Sequence, residues 1–147
     1  MEIGDDIVRK PIVMLLALAA VVGLQAHNGA AADKLHVPKQ GSAEQRGLLK
    51  ALQGSPTHNY KVHFLKLHNG WAWADVTPLD AKGKPVAEGG PQLLHQKAGT
   101  WTVEDLSKVP DDPNDPMGAQ DASAGFVKNL RKMHPEIPKD IFPKPSH

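Results

Sequence analysis

The sequence predicts an α+β domain: an N-terminal helix packed on a four-stranded antiparallel meander, followed by a C-terminal helix and a proline-rich arm. Three observations predict it. A capped leucine stripe lies between Ser42 and Gln53, period-two runs fill Tyr60 to Glu104, and seven of the thirteen prolines lie from position 110 onward. A helix laid on one face of an antiparallel sheet is a stable layered solution for a chain of 147 residues.

Residues 1–32 read as a signal peptide. Ile12 to Leu24 is a thirteen-residue run without a charge, Arg9 and Lys10 precede it, and QAHNGAAAD follows. That is the order of positive end, apolar middle and small-residue cleavage site. A permanent span needs about 20 apolar residues, so membrane contact is expected only through this segment before cleavage. Ala30 and Ala32 place cleavage after Ala32, with Ala26 as the alternative. The competing reading is a buried helix of a cytosolic protein, which would be hydrophobic all round at the extreme N-terminus. Cleavage after Ala32 removes 32 of the 147 residues and leaves 115, with fifteen basic and thirteen acidic side chains. The expected address is periplasmic or secreted.

Residues 33–41 form a flexible lead-in, and residues 42–142 a single domain. Ser42 and Gln45 make a capping box. Leu48, Leu49 and Leu52 form the apolar stripe of a helix over Ala43–Gln53, stopped by Gly54 and Pro56. Arg46 and Lys50 read as its solvated side. From Tyr60 the period is two. Tyr60, Val62 and Phe64 share one face and Leu65 and Leu67 the other, so a bulge or a doubly buried strand is expected at that slip. Asn69-Gly70 marks a hairpin, because both turn positions need positive φ. In the returning strand, Trp71 to Thr77, the tryptophans Trp71 and Trp73 point one way and Ala72, Ala74 and Val76 the other. The two alanines are small enough to admit the leucine stripe, so they are expected to face the first helix.

Asp80–Pro85 and Gly89-Gly90-Pro91 interrupt the chain before a third strand, Gln92–Gln96. Ala98-Gly99 turns it into a fourth, Thr100–Glu104. Pro110–Pro116 reads PDDPNDP, a rigid acidic loop. Asp121 or Ser123 then caps a second helix with the stripe Phe126, Val127, Leu130 and Met133, ended by His134-Pro135. Ile137, Ile141 and Phe142 are available to pin the arm, and residues 143–147 are expected to be a mobile tail.

The RGLLKAL helix (Arg46 to Leu52), the GWAW strand (Gly70 to Trp73), QLLHQ and TWTV (Thr100 to Val103) carry a resemblance. In this order they resemble the cystatin-like and nuclear-transport-factor-like folds. They also resemble small exported bacterial proteins of unknown function whose last strand is followed by a proline-rich C-terminus. The resemblance covers roughly Gln45 to Phe142. It implies an address and a fold, and carries over no catalytic residue.

Composition excludes several classes. With no cysteine, disulfides, thiolate metal sites and a cysteine nucleophile are absent. A net charge of +1 lacks the concentrated basic face of a nucleic-acid binder. GxSxG, SxxK and glycine-rich phosphate loops are missing. No cofactor is expected, and the partner is expected to be a protein or an envelope component, with no nucleic acid.

Three constellations remain. Trp71 and Trp73 on one strand face, with Trp101 joining from another strand, would make an aromatic platform for sugars or a protein partner; the competing reading is that they fill the core. His63 and His95 would make a metal pair or a catalytic cleft if the strand register brings them together. His58, His63 and His68 are five apart and alternate faces, so they do not converge, and His63 is expected on the face of Leu65 and Leu67. Asp111, Asp112, Asn114 and Asp115 are oxygen donors of the kind calcium takes, but Pro116 and Met117 break the EF-hand spacing, which favours a stiff solvated turn. Lys128, Arg131 and Lys132 read as a small solvated basic face of the second helix. The expected function is non-catalytic binding in the bacterial envelope. A histidine-dependent metal carrier or small enzyme at His63 and His95 is the alternative.

Overall fold

The computed structural model describes residues 34–52 and 59–144. The signal segment, the helix stop at Gln53 to Pro56, His58 and the last three residues lie outside them. The elements run α1 (Ala43–Leu52), β1 (Asn59–His68), β2 (Trp71–Leu79), β3 (Gly90–Lys97), β4 (Thr100–Glu104), a short α2 (Gly118–Asp121) and α3 (Ala124–Met133). Single 3-10 turns occupy Leu106–Lys108 and Lys139–Ile141. The fold is α+β, with one antiparallel sheet in the order β1-β2-β3-β4.

Local chemistry sets the boundaries. Ser42 Oγ accepts from Gln45 N at 3.1 Å while Gln45 Oε1 accepts from Gly41 N at 2.7 Å, the reciprocal cap of α1. Asn69 and Gly70 take φ of 50° and 73°, and Ala98 and Gly99 take 49° and 79°. Both hairpins therefore turn through two left-handed residues, matching the twist of their strands. Ser123 Oγ accepts from Phe126 N at 3.2 Å and caps α3. The short α2 ends on Ala122 at φ 47°.

The sheet is covered on both faces, which is why Trp71 to Ala74 are all buried in succession. On one side Leu48 of α1 joins Leu65, Leu67, Ala72, Ala74 and Trp101 in a single cluster. Ala72 and Ala74 retain 0% and 1% of their exposure. They lie on the face of the sheet that α1 covers, and α1 itself packs mainly against β4. On the other side Trp71, Trp73 and Leu93 meet Phe126 and Leu130 of α3, with Ile137, Ile141 and Phe142 of the arm. Ile137 and Ile141 are both fully buried. Burying such a side chain contributes about 1.5–3 kcal/mol, enough to fasten an irregular arm. Met133, expected in the stripe of α3, is instead exposed.

The phase of β1 differs from the expectation. The register shifts between Val62 and Phe64, ahead of the expected slip, and His63 is the extra residue. Tyr60 and Val62 consequently pack with Leu65 and Leu67 on the α1 side, and Phe64 packs alone on the α3 side. The outer edge of β1 is paired by the lead-in. His36 and Leu67 exchange two backbone hydrogen bonds of 2.9 Å, which blunts an otherwise open edge.

Candidate functional site

The tryptophans do not form a platform. Trp71 and Trp73 are 2% and 1% exposed beneath α3 and the arm. Trp73 sits between Phe142 and Phe126, with ring centroids at 5.0 and 6.2 Å. Trp101 lies on the opposite face of the sheet, 8% exposed in the α1 cluster. Two-residue periodicity placed Trp71 and Trp73 together correctly. It gave no view of the cover, because the arm that provides it has no period.

The register also separates His63 from His95. His95 pairs with Trp71, whereas the His63 bulge falls between the Val62–Val76 and Phe64–Asp75 pairs, about 15 Å further along the strands at 3.4 Å per residue. The bulge sets His63 and Phe64 opposite the single residue Asp75 and turns both toward the α3 side. His63 is therefore not on the face of Leu65 and Leu67. Its Nε2 is hydrogen-bonded to Thr77 Oγ1 at 2.8 Å, in an open groove of about 470 Å³ bordered by Asp75, Glu88, Gly89 and Gln120. Neither carboxylate forms an ion pair with the imidazole among the described residues. An activated hydroxyl needs a base that is itself oriented by a third group, and among the described residues none is hydrogen-bonded to His63 besides Thr77. Among the described residues, no group of three or more histidine and carboxylate side chains is placed to hold a metal ion.

Two other histidines, His68 and His36, act as clips. His68 Nδ1 donates to Asp140 Oδ1 at 2.8 Å and ties the end of β1 to the arm. His36 Nδ1 and Nε2 meet the Lys34 carbonyl at 2.7 Å and Glu44 Oε2 at 2.9 Å. Both partners only accept, so the geometry favours the doubly protonated ring. The pKa of His36 is raised, first by the Lys34 carbonyl and further by Glu44, against the opposing effect of burial. His95 stacks on Trp71, and its pKa is lowered, first by burial and then by Lys97.

The acidic loop is tied into turns. Asp112 Oδ1 accepts from Asn114 N at 2.9 Å, and Asp115 Oδ2 accepts from the Ser123 hydroxyl that caps α3. Its oxygens organise the entry to α3.

A second groove lies along α3. It encloses about 480 Å³ and is lined by Ala124, Val127, Lys128, Arg131, Lys132 and Lys139. Phe126 and Leu130 face inward, so the i, i+3, i+4 set Lys128, Arg131 and Lys132 falls on the flank of the helix. Lys139 arrives from the 3-10 turn whose Ile141 is anchored in the core. Arg131 Nε donates to the Ile137 carbonyl at 2.8 Å, which holds the guanidinium in place. None of the four cations forms an ion pair among the described residues. The sequence spacing shows the helix part of this set. Lys139 is not legible there, because its approach depends on how the arm folds back. No protein-family model, curated protein or solved structure matches this chain.

Proposed function

We propose that the chain is an exported, non-catalytic binding or accessory protein of the bacterial envelope, built on a cystatin-like α+β domain, and that the α3 groove is its binding surface. The observation that carries the reading is the groove itself: four cations without carboxylate partners among the described residues, beside the apolar Ala124 and Val127. Ligand sites are concave and mainly apolar, with a few polar groups that fix orientation. Export rests on the apolar run Ile12 to Leu24 behind Arg9 and Lys10.

Cell fractionation tests the proposal. The protein recovered outside the cytoplasm should begin at Asp33, and its retention on envelope fractions should fall in the K128Q/K132Q variant. A full-length product confined to the cytoplasm, or retention that ignores the double substitution, overturns the reading.

One observation favours a second reading, a histidine-dependent site. His63 and Thr77 share a hydrogen bond in a polar groove that also holds Asp75 and Glu88. A metal bound there must raise the melting temperature, by linkage. A zinc or copper titration that raises it in the wild type and not in His63→Ala would select this reading over the first.

A further inference from the structure

We infer that the α3 groove binds a phosphate ester bearing a short apolar group. This rests on the reading of that groove as the binding surface, and adds the chemistry of the ligand.

Charge is the first argument. Lys128 and Lys132 are like charges at i and i+4, an arrangement that by itself weakens a helix. Attraction of Arg131 and Lys132 to the C-terminal helix dipole accounts for part of the set. It does not account for Lys128, in mid-helix, nor for Lys139, which belongs to another segment. What the four share is the groove. An anion there relieves their mutual repulsion, and a dianion does so more fully than a carboxylate.

The second argument is the fixed fork. Arg131 is half-buried, and its Nε is held by the Ile137 carbonyl at 2.8 Å. Among the described residues, its two terminal nitrogens make no hydrogen bond within the protein. A guanidinium held this way is organised in advance for paired hydrogen bonds to tetrahedral oxyanions, and loses little freedom on binding.

The third argument is the floor. Inorganic phosphate would leave Ala124 and Val127 uncovered. A groove of about 480 Å³ accommodates a phosphate together with a short alkyl body.

The phosphate ester can be free or the headgroup of a lipid. Isothermal titration of the full chain with hexyl phosphate, inorganic phosphate and hexanoate tests the chemistry. Co-sedimentation with phosphatidylcholine vesicles, with and without phosphatidic acid, tests the source. Inorganic phosphate lacks the alkyl body and hexanoate the tetrahedral dianion, so hexyl phosphate is expected to bind at least about tenfold tighter than either control. K128Q/K132Q, at two exposed positions, should weaken it about tenfold or more with an unchanged melting temperature, and Arg131→Lys should also weaken it. All variants carry residues 1–32, so the difference between wild type and variant reports the groove. Vesicle binding that requires phosphatidic acid and Lys128/Lys132 supports the lipid source; hexyl phosphate binding without it supports a free ester. No binding of hexyl phosphate, equal binding of hexanoate or inorganic phosphate, or indifference to K128Q/K132Q overturns the inference. If hexyl phosphate fails while envelope retention still depends on Lys128 and Lys132, the ligand class is refuted and the groove stands as the binding surface.

Discussion

The imidazole of His95 lies flat on the indole of Trp71, with ring centroids 3.9 Å apart and planes inclined by 9°. The two residues are direct partners across β2 and β3. His134, at the end of α3, approaches the same indole at 5.8 Å. Trp71 closes the hairpin end of the sheet, where a large aromatic would otherwise meet water. The two imidazoles cover it there and leave it 2% exposed.

That cover makes stability depend on pH. Burial and Lys97 depress the pKa of His95 below its ordinary 6.5, with His134 acting in the same direction and Glu104 and Glu136 opposing. The unfolded chain therefore takes up the proton first as pH falls. The contribution of His95 is full above 6.5 and is lost as pH drops through the folded-state value. Urea unfolding at a series of pH values should show this slope in the wild type and a reduced slope in His95→Phe.

His36 has the opposite sign. Its pKa is raised above 6.5, first by the Lys34 carbonyl and then by Glu44. Its contribution is full below 6.5 and is lost as pH rises through the folded-state value. An NMR titration should place the His36 ring above its ordinary value. In Glu44→Gln the value should move back only part of the way, because the Lys34 carbonyl, the largest single cause, remains. A complete return would assign the whole effect to Glu44.

The α1 face predicts a steric limit. Ala72 is fully buried in the cluster that contains Leu48 and Leu94. Ala72→Leu adds three heavy atoms where none fit, and overpacking of this kind costs about 1–3 kcal/mol. Denaturant unfolding measures it. Ala81→Leu, in the exposed turn after β2, should change stability little.

Gly89 predicts a second limit. A Cβ there would lie 2.6 Å from the Val76 carbonyl and would also overlap Thr77 Oγ1. The carbonyl belongs to β2 and cannot move aside cheaply. Gly89→Ala should therefore lower the melting temperature and disturb the His63–Thr77 hydrogen bond, visible as a shift of the His63 ring resonances.

The sheet was largely legible in the sequence, because strands and their turns are local. Asn69-Gly70 fixed one hairpin, and the opposed sets Trp71/Trp73 and Ala72/Ala74 fixed the two faces of β2. The phase of β1 was not legible, since a bulge is one residue whose position depends on pairing with β2. His63 changed faces for that reason. The site was less legible still. Trp71, Trp73 and Trp101 are large enough for either core or platform; α3 and an arm without period make the choice for Trp71 and Trp73, and α1 makes it for Trp101. The α3 groove needs Lys139 to return beside Lys128, a contact set by the burial of Ile137 and Ile141.

The two hairpin turns give a paired prediction. Asn69 and Ala98 occupy the same turn position at φ 50° and 49°. Asparagine tolerates the left-handed region, whereas for alanine the Cβ crowds its own carbonyl at about 1–2 kcal/mol. Ala98 is exposed and has no packing role to offset this. Ala98→Asn should therefore stabilise the protein by about 1 kcal/mol, and Asn69→Ala should destabilise it by a similar amount. For a domain of this size, about 1 kcal/mol moves the melting temperature by about 4–8 °C. Scanning calorimetry of both variants decides the point. Opposite shifts of similar size tie the effect to the left-handed backbone itself. A shift in Asn69→Ala alone would mean that the β3–β4 turn relaxes its strain at the sheet edge, where β4 has no further strand to hold its register.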